Sequence, residues 1–115
     1  MRTAVWMMLT VASAALLASG CNGASCETLC REAQDRDCTT IRGDCGRACA
    51  GLAAASAKAG CGAEEEAYVG CSGGGDVCST DARCGGQETA LGNCLAPFCA
   101  ANPGDPDCRT VVGAF

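Results

Sequence analysis

Histidine is absent from this 115-residue chain. That single absence removes His-based nucleophile triads, His general bases and His metal ligands from consideration. Aromatic residues are nearly absent too: Trp6, Tyr68, Phe98 and Phe115 are the full set. Large aromatics supply much of the bulk of an ordinary core, so this chain cannot build one and needs covalent staples instead. Basic charge is in deficit, with 8 Lys and Arg against 13 Asp and Glu for a net charge of −5. A chain without a basic patch makes a poor nucleic-acid binder, because phosphate neutralisation drives that binding. The same deficit argues against a peripheral helix on anionic lipid, so residence at a membrane requires a covalent anchor.

Cysteine is what the sequence has in abundance. Thirteen cysteines in so short a chain read as a disulfide scaffold in an oxidising compartment. No two of them stand as a Cys-x2-Cys knuckle. Structural zinc, iron–sulfur and thiol-redox sites favour that spacing. Disulfides are therefore expected in place of metal or redox chemistry, with no cofactor.

The N-terminus reads as an export signal. Arg2 supplies one positive charge, and Ala4 to Ala18 is apolar apart from Thr10 and Ser13. That length suits a signal-peptide core and is short for a membrane span. The run ends in Leu17-Ala18-Ser19-Gly20-Cys21. These residues resemble the lipobox of bacterial lipoproteins, in which a cysteine after small residues is acylated and becomes the first mature residue. The resemblance implies lipidation at Cys21, a membrane partner through that anchor, and, with Asn22 following, an outer-membrane address. The alternative is an ordinary secretory cleavage after Gly20 and release from the cell. Cysteine parity favours the anchor: with Cys21 set aside, twelve cysteines remain, an even number. The expected division is 1–20 signal peptide, 21–25 tether, 26–60 and 61–108 cysteine-bearing regions, and 109–115 C-terminal tail.

Two helices are expected in the first region. Ser25 suits an N-cap with Glu27 in the first turn, and Cys26, Leu29, Cys30 and Ala33 recur at helical spacing. Asp44 suits the cap of a second helix whose stripe holds Cys45, Cys49, Leu52 and Ala59. Gly60 then stops it in the left-handed conformation that glycine tolerates. Each arm carries a Cys-x3-Cys, so each pair lies on one helix face. This layout resembles the hairpin of the small mitochondrial Tim chaperones, though the apolar leader points to bacterial export.

The second region contains a weak repeat. Cys61 to Cys71 and Cys84 to Cys94 both read Cys-Gly-x2-Glu-x-Ala-x3-Cys. Each unit is long enough for a short helix, and the twin Cys-x9-Cys spacing resembles coiled-coil-helix proteins. Ser72 to Asp76 is glycine-rich and reads as loop. Pro97 is expected to end the fourth helix. Cys99 and Cys108 bracket the turn-forming stretch Asn102 to Pro106 and are expected to close their own loop. The cysteine order as far as Cys94 resembles a family of small cysteine-rich exported proteins of myxobacteria and related bacteria, a likeness that implies export and brings no activity.

The fold expected is all-α, small and disulfide-rich: two cross-linked helical hairpins with glycine-rich loops. Helix geometry favours Cys26–Cys49 with Cys30–Cys45, and Cys71–Cys84 with Cys61–Cys94. A competing register pairs Cys30 with Cys49 and Cys38 with Cys45, and Cys78 has no assigned partner. Three constellations invite a functional reading. Arg42-Gly43-Asp44 at the hairpin tip matches an adhesion tripeptide, against a plain turn and cap. Glu64, Glu65 and Glu66 are set as a solvated helix start, lacking the spaced ligands of a calcium loop. Asp76, Asp81 and Glu88 supply carboxylates, but nothing in the sequence selects a catalytic pair or a cleft to tune one. The expected function is a non-enzymatic cell-envelope lipoprotein, a structural or binding module of unknown ligand. The alternative is a secreted effector, such as a protease inhibitor or toxin-like module, presenting loops 72–77 and 100–107.

Overall fold

The computed structural model describes residues 25–39, 41 and 43–115. Cys21, the stretch 1–20 expected as a signal peptide, and Arg42 lie outside the described residues. Helix α1 spans Cys26–Asp35 and α2 spans Cys45–Ala59. Helix α3 spans Gly62–Gly73, followed by a 3₁₀ turn at Val77–Ser79 and the single-turn α4 at Thr80–Arg83. Helix α5 spans Gly85–Ala101 and α6 spans Pro106–Ala114. No strand occurs among the described residues.

The caps operate as their chemistry predicts. The Ser25 hydroxyl accepts from the Thr28 amide at 3.2 Å, and the Asp44 carboxylate accepts from the Arg47 amide at 2.7 Å. Each satisfies an amide left without a partner at a helix start. Gly60 closes α2 at φ 72°, a conformation that carries a steric penalty for any residue with a Cβ.

Six disulfides frame the molecule. Cys26–Cys49 and Cys30–Cys45 join α1 to α2 as antiparallel arms. Cys61–Cys94 and Cys71–Cys84 join α3 to α5 in the same manner. Cys99–Cys108 links the end of α5 to α6. The first four pairs are the ones helix geometry favours, the fifth closes the loop its turn-forming stretch suggested, and the competing register is not formed. The sixth, Cys38–Cys78, spans 40 residues and ties the first hairpin to the second. No local spacing signals it.

The core is small. Leu52 and Ala55 of α2 meet Cys61 and the α5 residues Leu91 and Leu95, with Tyr68 and Val111 packed against them. A second cluster consists of Cys30, Cys45 and Cys49, with Ile41 alongside. Half-cystines thus serve as core volume as well as cross-links.

Three expectations need correction. Pro97 does not end its helix; α5 runs on to Ala101. An interior proline costs about 3 kcal/mol through a lost hydrogen bond and a clash. Here Cys61–Cys94 anchors the chain before Pro97 and Cys99–Cys108 anchors it after, while Asn102 donates its side-chain amide to the Phe98 carbonyl at 2.9 Å. The glycine-rich loop is also shorter than expected, because α3 continues through Ser72 to Gly73. The Ser72 hydroxyl donates to the Tyr68 carbonyl at 2.9 Å, and Arg83 takes up the carbonyls at the helix end. The loops at 72–77 and 100–107 shrink accordingly. Finally, the stretch expected as a tail is helical in α6, which packs on α2 more extensively than any other helix does. Asp105 caps it, accepting from the amides of Asp107 at 2.9 Å and Cys108 at 3.2 Å.

Candidate functional site

The chemistry-bearing residues singled out in the sequence separate into structural and surface roles. Gly43 adopts φ 91°, and its carbonyl accepts from the Gln34 side-chain amide at 3.0 Å. Asp44 is occupied in capping α2. Turn and cap thus account for both described residues of the tripeptide. Glu64 and Glu65 occupy the first turn of α3, where negative charge meets the positive end of the helix dipole. Among the described residues, no group of three or more Cys, Asp or Glu is placed to hold a metal ion.

The three carboxylates left open in the sequence diverge. Asp76 is structural. Its Oδ1 pairs with the Arg36 guanidinium at 2.7 Å and accepts the Cys78 amide at 2.9 Å. Those hydrogen bonds, the Arg36 one foremost, hold its pKa below the ordinary aspartate value and raise that of Arg36. This pairing runs beside Cys38–Cys78, so one covalent and one ionic link join the same two segments. Arg83 orders the neighbouring loop. It donates to the carbonyls of Cys71 at 3.0 Å, Ser72 at 3.4 Å and Asp76 at 3.0 Å. At the far side, Lys58 of α2 bridges Asp105 at 2.8 Å and Asp107 at 2.6 Å. That contact raises the Lys58 pKa and lowers that of Asp105.

Asp81 and Glu88 come together on a groove of about 360 Å³ between α1, α3 and the 3₁₀ turn, within the size range of small-ligand sites. Its apolar lining includes Leu29, Ile41, Tyr68, Val69, Val77 and Phe115. Its charged lining consists of Asp37, Asp81 and Glu88, with no basic side chain among the described lining residues. The Tyr68 phenol is held above its usual pKa by burial first and then by the negative charges of Glu88 and Asp81. Both carboxylates therefore act on this ring's hydroxyl.

Leu29 and Tyr68 were legible as helix residues, but their convergence was not. The groove exists because Cys38–Cys78 and Arg36–Asp76 bring the 3₁₀ turn onto α1, a placement between segments 40 residues apart. Among the described residues, no helix is long and apolar enough to cross a membrane. A disulfide frame of this density belongs to an extracellular or envelope location. No protein-family model matches the sequence, and no curated protein or solved structure shows significant similarity to it.

Proposed function

We propose that this chain is a bacterial cell-envelope lipoprotein: a non-enzymatic, disulfide-stapled module held at the membrane through acylated Cys21, with a binding or structural role. One observation carries the reading. The twelve cysteines from Cys26 onward pair completely with one another. The thirteenth, Cys21, follows the small residues Ala18-Ser19-Gly20. A secretory cleavage without acylation would leave that thiol exposed near the new N-terminus in an oxidising compartment. Its consumption by a lipid accounts for the odd count. The likeness of the cysteine order to small exported proteins of myxobacteria supports the same compartment. Short membrane attachment by a single acyl chain is weak, so stable retention calls for more than one chain on the anchor.

The test is metabolic labelling with a palmitate analogue in a bacterial host that processes lipoproteins, followed by fractionation of wild type and Cys21→Ser. Label on the wild type alone, with wild type in the membrane fraction and the variant in the soluble fraction, is the expected result. Equal distribution of both, without label, overturns the anchor and moves the secreted-effector reading forward.

A further inference from the structure

The groove between α1 and α3 has a chemical character narrower than that of a general apolar cleft. Only three aromatic residues follow the leader, and two of them, Tyr68 and Phe115, line this one groove. Three carboxylates share the lining, and no described lining residue is basic. Two of the three, Asp81 and Glu88, lie close enough to the Tyr68 hydroxyl to raise its pKa. Neither forms a hydrogen bond or an ion pair among the described residues, unlike Asp76, Asp105 and Asp107. Asp81 and Glu88 each sit in the first turn of a helix, and among the described residues no side chain pairs with either carboxylate at the edge of this half-apolar hollow.

We infer that this groove binds a small organic cation with an apolar body, an alkyl- or arylammonium compound. Its charged head lies between Asp81, Glu88 and the face of Tyr68, and its body lies along Leu29, Val69 and Val77. Two forces combine. An ammonium over an aromatic face is attracted by the ring quadrupole, more strongly where water is displaced. Asp81 and Glu88 are exposed, so each adds a Coulomb attraction that water partly screens. A simple metal cation lacks the apolar body and meets no cluster built to ligate it. An anion is repelled. This inference rests on the chain being a binding module, and it is independent of how the chain is anchored.

The test uses the oxidised, processed protein and three probes that share a phenylalkyl body and differ in charge: 4-phenylbutyltrimethylammonium, its neutral tert-butyl isostere (5,5-dimethylhexylbenzene) and 4-phenylbutyrate. Binding is followed by calorimetry and by NMR shifts of the Tyr68 ring. The ammonium probe is expected to saturate, with affinity about tenfold above the neutral probe, and the anion to show no binding. Asp81→Asn with Glu88→Gln is expected to remove that preference, and Tyr68→Leu to weaken cation binding where Tyr68→Phe does not. Glu64→Gln with Glu65→Gln, the same charge change elsewhere, is expected to leave the cation's affinity unchanged. Equal affinity for cation and neutral probe overturns the charge assignment, and no saturable binding of the cation at millimolar concentration overturns the site. Either failure leaves the palmitate-labelling result untouched, so the two readings fall separately.

Discussion

Arg83 directs its guanidinium at main-chain carbonyls and not at a carboxylate. The groups it holds are those of Cys71, Ser72 and Asp76. The first two sit at the end of α3, where carbonyls lack the regular helical partner; the Cys71 carbonyl also accepts the Gly74 amide at 3.1 Å, and the Arg83 side chain completes the C-cap from a distance. Arg83→Ala is expected to cost about 1–2 kcal/mol, since hydrogen bonds to a charged donor are stronger than neutral ones but this one is solvent-exposed. Thermal unfolding of the oxidised protein measures the loss, and amide exchange should accelerate at residues 71–76 before it does elsewhere. Asp76 and Asp105 make a second residue-scale case. Both titrate lower in the folded protein than the ordinary 3.8. Each therefore contributes stability that is present above that value and is lost as pH falls through the folded pKa. Lys58 is raised above the ordinary 10.5, so its contribution is present below that value and lost as pH climbs past it. Denaturant midpoints of the oxidised protein should be level between those limits and fall on both sides. Arg36→Met with Lys58→Met should blunt the acid limb; an unchanged limb would assign it to other carboxylates. Local chemistry of this kind was partly legible in the sequence. The caps Ser25, Asp44 and Gly60 follow from residue type and neighbours alone. Arg83 did not, because its partners are backbone groups that carry no sequence signature.

At the scale of elements, helix assignment followed cysteine spacing well. Two cysteines four apart must share a helix face if both are to reach one partner helix, and that constraint selects the antiparallel hairpins. Disulfide geometry and helical period agree at Cys26, Cys30, Cys45 and Cys49, and again at Cys61, Cys71, Cys84 and Cys94. Pro97 was misleading because its local penalty competes with two cross-links that sequence inspection weighs poorly. Replacing Cys99 and Cys108 by serine removes the downstream anchor. The expected result is fraying of α5 beyond Pro97 and a loss of about 2–4 kcal/mol, read as faster amide exchange at residues 98–101 with Leu91 and Leu95 still protected. Helix α6 is held differently. It approaches α2 so closely that a Cβ on Gly51 would stand 2.6 Å from Cγ2 of Thr110. Gly51→Ala is expected to destabilise by about 1–3 kcal/mol despite its better helix propensity, because overpacking outweighs it. Adding Thr110→Ala should recover part of that loss. Recovery in the double variant, measured by denaturant unfolding, distinguishes a steric contact from a general effect on α2.

At the scale of the whole molecule, the disulfides take the place that aromatic bulk occupies in other small domains. The buried residues are mostly Ala, Leu and half-cystine. A cross-link closing a loop of about 15 residues stabilises by roughly 3 kcal/mol in the chain-entropy view, and six such links outweigh what this core supplies. Reduction should therefore unfold the chain cooperatively, and the oxidised form should withstand heat and protease. What was not legible at this scale is the link between the halves. Cys38 and Cys78 sit in a turn and a 3₁₀ segment with no helical register to relate them, and about ten thousand pairings of twelve cysteines are formally open. That one link, with Arg36–Asp76, shapes the groove, so the candidate ligand site was the least legible part of the molecule although its residues were all in view. The most direct measurement is a non-reduced peptide map of the protein expressed in a bacterial host that processes lipoproteins, combined with its intact mass before and after reduction and alkylation. The predicted result is six cross-links, Cys38–Cys78 among them, twelve cysteines labelled only after reduction, and an N-terminal Cys21 carrying acyl mass. A free thiol among the twelve would contradict the scaffold, a Cys21 without acyl mass would contradict the anchor, and a cross-link from Cys21 to any of the twelve would contradict both.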